Sequence, residues 1–344
     1  METLKFGVIG CGSFAEKHLT AMQRIDEIEV VACCDNVLDL AKAQAEKYNI
    51  PSYYADYKEL LARDDIFAVT LPLPDQVHRE IAVAALKAGK HVFCEKPMAL
   101  NLEDCRAMMD AEKESGKQLM IGQICRYTPG FKLAKELVEA GEIGELFFVE
   151  SEYAHDYSKL SGEGGWRVTP ERHPVIGGGC HAVDLLRWIA GDPTEVFAIA
   201  NNKVLVDWPI NDFTVAVMKF PNNVCGKVMT STGCKREYTM RTVLYGTKGT
   251  IITDNTSPSI TLYKEQFENK DEYRGIEQQL IAMKLPIEIN NHNVQSEIQD
   301  FIDAIKENKR VSTPGMEGAK TVAVCRAIVE SAQKGDKVNP DYNF

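Results

Sequence analysis

Short apolar runs alternate with amphipathic stretches from Leu4 to Gly122. Lys5–Gly10 and Glu29–Asp35 have the mostly apolar composition of buried strands, and Ala15–Arg24 between them carries apolar residues at helical spacing. The same alternation predicts helices over Asp39–Tyr48, Gln76–Lys87 and Leu102–Ser115, and strands over Phe67–Leu71, His91–Cys94 and Gln118–Gly122. Strands separated in this way by helices form a parallel sheet covered on both faces, a doubly wound α/β architecture.

Beyond Gly122 the pattern changes. A helix over Pro129–Ala140 is followed by strand-like segments with little helix between them: Leu146–Ala154, Glu195–Asn201, Thr214–Phe220, Val224–Thr230, Arg241–Tyr245, Thr250–Thr253 and Ile260–Tyr263. Gly246-Thr247-Lys248-Gly249 is the turn of a hairpin joining two of them. The expected second domain is therefore α+β, with a mostly antiparallel sheet, a helix over Cys180–Ala190 inserted early, and helices over Asn293–Glu307 and Glu317–Lys334 at the end. The predicted division is 1–123 and 124–344. A length of 344 residues agrees with it, at roughly 150 residues per domain.

A net charge of -11 argues against a nucleic-acid partner, because phosphate binding needs a basic face. No apolar run reaches the roughly 18 residues of a membrane span, and no basic segment leads into an apolar signal region. A cytoplasmic location with no membrane partner is expected. The ten cysteines are scattered, and Cys33, Cys34 and Cys94 lie in apolar strands, as buried thiols in a reducing compartment do. Cys125, Cys180, His173 and His181 contain no pair at metal-ligand spacing, so no metal site is expected.

Gly10-Cys11-Gly12-Ser13-Phe14-Ala15 stands between a strand and a helix. A Gly-x-Gly-x-x-Ala turn lets backbone approach a pyrophosphate while the helix N-terminus offers unbonded N–H groups. Asp35 follows at the end of the second strand, where a carboxylate accepts from a ribose 2′-hydroxyl and repels a 2′-phosphate. Asn36 follows, with no arginine nearby to offset that repulsion, so the expected cofactor is NAD, with NADP disfavoured. Lys96, just past the strand His91–Cys94, is the candidate proton-transfer group, since burial and an oxidised nicotinamide both favour a neutral amine.

Glu95-Lys96-Pro97 carries a wider likeness. The turn Gly10–Ala15 with Glu16-Lys17-His18, the run Pro74-Asp75-Gln76-Val77-His78, and Ala88-Gly89-Lys90-His91-Val92-Phe93-Cys94-Glu95-Lys96-Pro97 resemble successive motifs of the glucose-fructose oxidoreductase and inositol dehydrogenase family, written Gfo/Idh/MocA. Further matches occur at Arg126-Tyr127, Gly141-Glu142-Ile143-Gly144, Trp166-Arg167, Gly177-Gly178-Gly179 and the final helices. The resemblance implies a Rossmann domain followed by an open-faced sheet domain that pairs into a homodimer or homotetramer. It implies a cofactor held by Gly10, Gly12, Ser13, Phe14, Ala15, Asp35, Asn36, Leu71, Pro72, Pro74, His78, Glu95, Lys96, Trp166 and Arg167.

The resemblance also makes Lys96 and His181 a catalytic pair across a cleft. If their segment is helical, Asp184 shares a face with His181 and orients its ring. Arg126, Tyr127, Tyr153, His155, Trp166 and His173 join Lys96 and His181 as expected substrate contacts. One departure stands out: many polyol dehydrogenases of the family carry an aspartate where this chain has Gly177, so either Lys96 and His181 suffice or a group such as Glu171, His173 or His155 substitutes. The implied activity is NAD-dependent hydride transfer at a secondary hydroxyl or ketone of a sugar, sugar derivative or inositol. Two other outcomes on the same fold are glycoside cleavage through transient oxidation and elimination, and a non-catalytic sugar or NAD sensor.

Overall fold

The computed structural model describes residues 3–160, 163–265 and 280–344. The chain divides into two compact units: 1–124 with 293–323 and Phe344, and 125–292 with 324–343. The sequence places everything beyond 123 in one second domain, whereas 293–323 packs with the first. Its helix Val294–Lys306 is amphipathic and buries Ile298, Phe301 and Ile302. Phe301 sets its ring against Phe6 and Phe93, 6.4 and 5.9 Å away between centroids. Such a helix cannot leave that stripe in water, and an apolar stripe carries no signal of which sheet it will cover.

The first unit is built from β1 (Leu4–Ile9), α1 (Ala15–Met22), β2 (Ile28–Cys34), α2 (Leu38–Tyr48), β3 (Tyr53–Tyr54), α3 (Tyr57–Leu61), β4 (Ala68–Leu71), α4 (His78–Lys87), β5 (His91–Cys94), α5 (Leu102–Ser115) and β6 (Leu119–Ile121). Its sheet runs β3-β2-β1-β4-β5-β6, with every pairing parallel. Parallel strands place all their carboxyl ends on one edge, and the chain reverses direction across the sheet on either side of β1, where doubly wound folds bind ligands. The four-residue strands β4 and β5 are buried throughout, as helices on both faces require. The short elements β3 and α3 have no counterpart in the sequence reading, being too brief to show a period.

The second unit contains α6 (Pro129–Glu139), β7 (Leu146–Ala154), α7 (Pro174–Gly177), α8 (Cys180–Ala190), β8 (Glu195–Asn201), β9 (Phe213–Lys219), β10 (Cys225–Ser231), β11 (Thr239–Gly246), β12 (Gly249–Asp254), β13 (Ser259–Glu265) and β14 (Leu280–Pro286). The sheet order is β14-β13-β12-β11-β7-β10-β9-β8, antiparallel among the described residues except where β7 meets β10. Gly246 pairs with Gly249, closing the hairpin expected there. β14 is a strand the sequence reading lacks. Helices α6, α7 and α8 pack on this sheet. On the edge strand β8 and its neighbour β9, Phe197, Ile199 and Val217 point outward at 42, 64 and 54% exposure. No helix among the described residues is long and apolar enough to cross a membrane.

Candidate functional site

In the first unit the parallel register gathers Gly10, Asp35, Pro72 and Lys96 at one edge, since each follows the carboxyl end of its strand. Gly10 has φ +102°, and a Cβ there would stand 2.8 Å from Leu73 Cδ2 and 2.9 Å from the Pro72 carbonyl oxygen. The fold itself therefore demands glycine at this turn. Gly12 differs: a Cβ there would meet nothing within 4 Å. Protein packing does not require glycine at 12, and the open space above it fits close approach by a ligand. Phe14 caps α1 without a side-chain hydrogen bond, and Ala15 N and Lys17 N donate to the carbonyls of Gly12 and Phe14, so what the turn offers an anion is the positive end of the helix dipole. Asp35 Oδ2 accepts from Cys11 N at 2.8 Å and Oδ1 from Val37 N at 2.9 Å, which fixes its carboxylate beside the turn. These residues fit a dinucleotide.

Within His91–Leu100, Lys96 alone is not buried. Behind it, Glu95 is 5% exposed and accepts from His18, whose Nε2 lies 3.0 Å from Oε1. Burial raises the Glu95 carboxyl, but the His18 hydrogen bond and the positive charges of His18, Lys96 and His78 outweigh it and hold the carboxyl below its usual range. His78 is fully buried, with Nδ1 2.9 Å from the Pro97 carbonyl oxygen and Nε2 3.1 Å from that of Leu73. It ties the loop after β5 to the loop after β4.

In the second unit His181 stands in the first turn of α8, buried, with Nδ1 3.4 Å from Cys125 Sγ. Its ring stacks on Tyr153 at 6.1 Å between centroids and 27°. The Tyr153 hydroxyl is 2.9 Å from that of Tyr157 and 3.2 Å from His155 Nδ1. Burial, with the neighbouring Tyr157 and Tyr238, pushes the Tyr153 hydroxyl far above its usual value, so it stays a proton donor. The three glycines before α8 are closely approached by other groups. A Cβ would fall 2.2 Å from Arg172 Nη1 at Gly177, 2.6 Å from the Tyr153 ring at Gly178 and 2.2 Å from Thr230 Oγ1 at Gly179.

The oxidoreductase-family model with an NAD-binding Rossmann fold (GFO_IDH_MocA) matches residues 4–123, and the GFO/IDH/MocA C-terminal-domain model matches residues 131–252. The chain belongs to the GFO/IDH/MocA oxidoreductase family. Myo-inositol 2-dehydrogenase of Thermotoga maritima is 28% identical over 343 residues, spanning 96% of this chain and 97% of its own. Inositol 2-dehydrogenase of Salmonella typhimurium is 29% identical over 252 residues, 72% of this chain and 73% of that one. A solved levoglucosan dehydrogenase, in complex with NADH and L-sorbose, superposes with a TM-score of 0.89 at 24% identity, covering 99% of this chain and 100% of that chain.

Several expected site residues of this GFO/IDH/MocA chain have other work in the fold. His78, expected at the cofactor, has both ring nitrogens facing backbone carbonyls. His173, expected at the substrate, is 4% exposed and caps α7, its Nδ1 accepting from Val175 N at 3.2 Å. Burial pushes its imidazole down to about 4, which agrees with an accepting, neutral ring. Arg126, expected to meet substrate hydroxyls, directs Nε and Nη2 to the two oxygens of buried Asp184 at 2.8 and 2.7 Å. Asp184, expected to orient His181, thus holds Arg126 in a two-pronged pair.

Of the three candidates to replace a carboxylate at Gly177, Glu171 is exposed, His173 is the cap, and half-buried His155 is joined to His181 through Tyr153. The space a side chain at 177 would need holds the Arg172 guanidinium. Trp166 is half-buried, with the guanidinium carbons of Arg167 and Arg172 4.2 and 4.8 Å from its ring centroid. No group of three or more His, Cys, Asp or Glu side chains able to hold a metal ion occurs among the described residues. Met240 beside Cys125, Tyr157 and Tyr238 beside Tyr153, Arg172 beside Gly177 and His18 beside Glu95 were not legible as site residues, and Cys125, weighed only as a metal ligand, lies against His181. Only a strand pairing reveals one of them, because Met240 lies directly opposite Tyr153 in the β7–β11 register.

Proposed function

We propose that this chain transfers a hydride between NAD and a secondary hydroxyl or ketone of a sugar, sugar derivative or inositol. The observation that carries the reading is the single edge on which the parallel sheet gathers the Gly10–Ala15 turn, Asp35 and Lys96. The inositol dehydrogenases among the relatives, and a neighbour that binds NADH with a sugar, support this substrate class.

When bound, NAD supplies the hydride acceptor. The positive N-terminal end of α1 would attract its pyrophosphate, and Gly12 would admit the phosphates close to the backbone. Asp35 accepts from the ribose hydroxyls, and its charge disfavours the 2′-phosphate of NADP. Lys96 exchanges the hydroxyl proton of the substrate, with Glu95 and His18 fixing the turn that carries it. His181 is the second proton-handling candidate, and Tyr153 stacks on one face of its ring.

Steady-state turnover of sugars, inositols and their keto forms, followed by reduced-nicotinamide absorbance with NAD and NADP, tests the reading. Lys96→Ala should lose at least about 10²-fold in turnover while still binding NAD. Near-normal turnover in that variant would sink the assignment.

The same reading includes a homo-oligomer formed through the outward sheet face. Phe197, Ile199 and Val217 adjoin one another there, Phe197 lying opposite Val217 and Ile199 opposite Val215. Lys227, Arg241 and Glu150 form ion pairs on the strands beyond. A second copy of the face would cover the apolar patch. A monomer in light scattering at micromolar concentration refutes this.

A further inference from the structure

We propose that Cys125 and Met240 determine which nitrogen of His181 carries the proton, leaving Nε2 as its basic nitrogen. Cys125 Sγ is 3.4 Å from His181 Nδ1 and 3.5 Å from Met240 Sδ. The three residues are 3, 4 and 1% exposed, so these contacts are not shared with bulk water. The inference deepens the proposed function and rests on His181 handling a proton there.

The donor inventory decides the direction of the chain. A thioether has no proton and only accepts, while a thiol has one proton to give. With the thiol proton directed at Met240 Sδ, a sulfur lone pair faces the imidazole and accepts from a proton on Nδ1. Both contacts are then hydrogen bonds. Turning the thiol proton to Nδ1 instead would set two sulfur lone pairs against each other at 3.5 Å inside the fold.

Two surrounding features keep the ring neutral and fixed in orientation. His181 lies in the first turn of α8, where the positive end of the helix dipole disfavours an imidazolium. Tyr153 stacks against the ring and limits its rotation about the side-chain bonds. A neutral ring protonated at Nδ1 has its lone pair on Nε2, the state a base needs before accepting a hydroxyl proton. Cys125 and Met240 are thus positioning residues acting through His181.

The test is two-dimensional ¹⁵N–¹H long-range correlation spectroscopy on the full chain, labelled in its seven histidines. The His181 ring signals are assigned by their loss in His181→Asn. In the wild-type chain Nδ1 should show the protonated, pyrrole-type resonance and Nε2 the lone-pair, pyridine-type one. Met240→Leu conserves volume but removes the acceptor, so the thiol proton should turn to Nδ1 and the two nitrogen resonances should exchange character. A wild-type ring protonated at Nε2 overturns the proposal, as does an unchanged pattern in Met240→Leu. The wild-type spectrum decides even if that variant fails to fold. No substrate or cofactor is present, so the result is independent of whether the chain oxidises a sugar.

Discussion

Removing Asp184 should cost more than removing its partner Arg126, and the local charges say why. Asp184 is fully buried, receives the two-pronged Arg126 pair at 2.7 and 2.8 Å, and lies 3.8 Å from Arg187 Nη1. Arg187 also donates to Asp192, with Nε at 2.9 Å and Nη2 at 2.6 Å. Asp184→Ala leaves Arg126, 9% exposed and unable to deprotonate, without its carboxylate. Breaking a buried pair in this way costs about 3–5 kcal/mol. Arg126→Met leaves Asp184 with Arg187 still beside it, which reduces the loss to about 1–3 kcal/mol. The double variant Arg126→Met/Asp184→Leu should recover much of the loss, because it removes both charges together.

Thermal melts followed by near-ultraviolet circular dichroism measure this ordering. At about 2–4 °C per kcal/mol for a unit of this size, Asp184→Ala should lower Tm by roughly 6–20 °C. A shift below about 2 °C, or a double variant less stable than Asp184→Ala, would refute the reasoning.

Three further outcomes follow from the same geometry. Gly10→Ala should lower Tm, because its φ of +102° and the Leu73 and Pro72 contacts exclude a Cβ, whereas Gly12→Ala should leave Tm unchanged and weaken NAD binding in a fluorescence titration. His173 is held near 4 by burial against an unfolded value of about 6.5, so the unfolded chain binds a proton between those values that the folded chain does not. The stability due to its neutral ring is present above about 6.5 and is lost as pH falls toward 4, so the wild-type Tm should drop more steeply over that window than that of His173→Asn. Gly177→Ala should destabilise by about 1–3 kcal/mol in urea unfolding, since its Cβ would fall 2.2 Å from Arg172 Nη1, and Gly177→Ala/Arg172→Ala should relieve part of that loss.

The cofactor turn was legible because each of its parts is local. Gly10, Gly12, Asp35 and Lys96 each follow a strand, and once the strands are parallel their ends share one edge with no further information needed. The strand patterns of the second unit, β14 apart, were legible for the same reason, since a period of two survives in any sheet order. The surroundings of His181 are another matter. Cys125 precedes α6, Tyr153 ends β7, Met240 begins β11 and His181 begins α8, so their meeting depends on the β7–β11 register and on a helix packed over that sheet.

Sequence spacing put Asp184 on the same helical face as His181, but the energy of pairing a buried carboxylate with a guanidinium fork went to Arg126, 58 residues away. Composition likewise showed three successive glycines without showing that Arg172, Tyr153 and Thr230 occupy the space their side chains would need. Local chemistry at strand ends was thus determined by the sequence alone: a dinucleotide turn, a carboxylate beside it and a lysine on the same edge. Which side chains share a buried site, and which nitrogen of a histidine bears the proton, was decided only by tertiary packing, because a buried polar atom takes whichever partner the fold brings within reach.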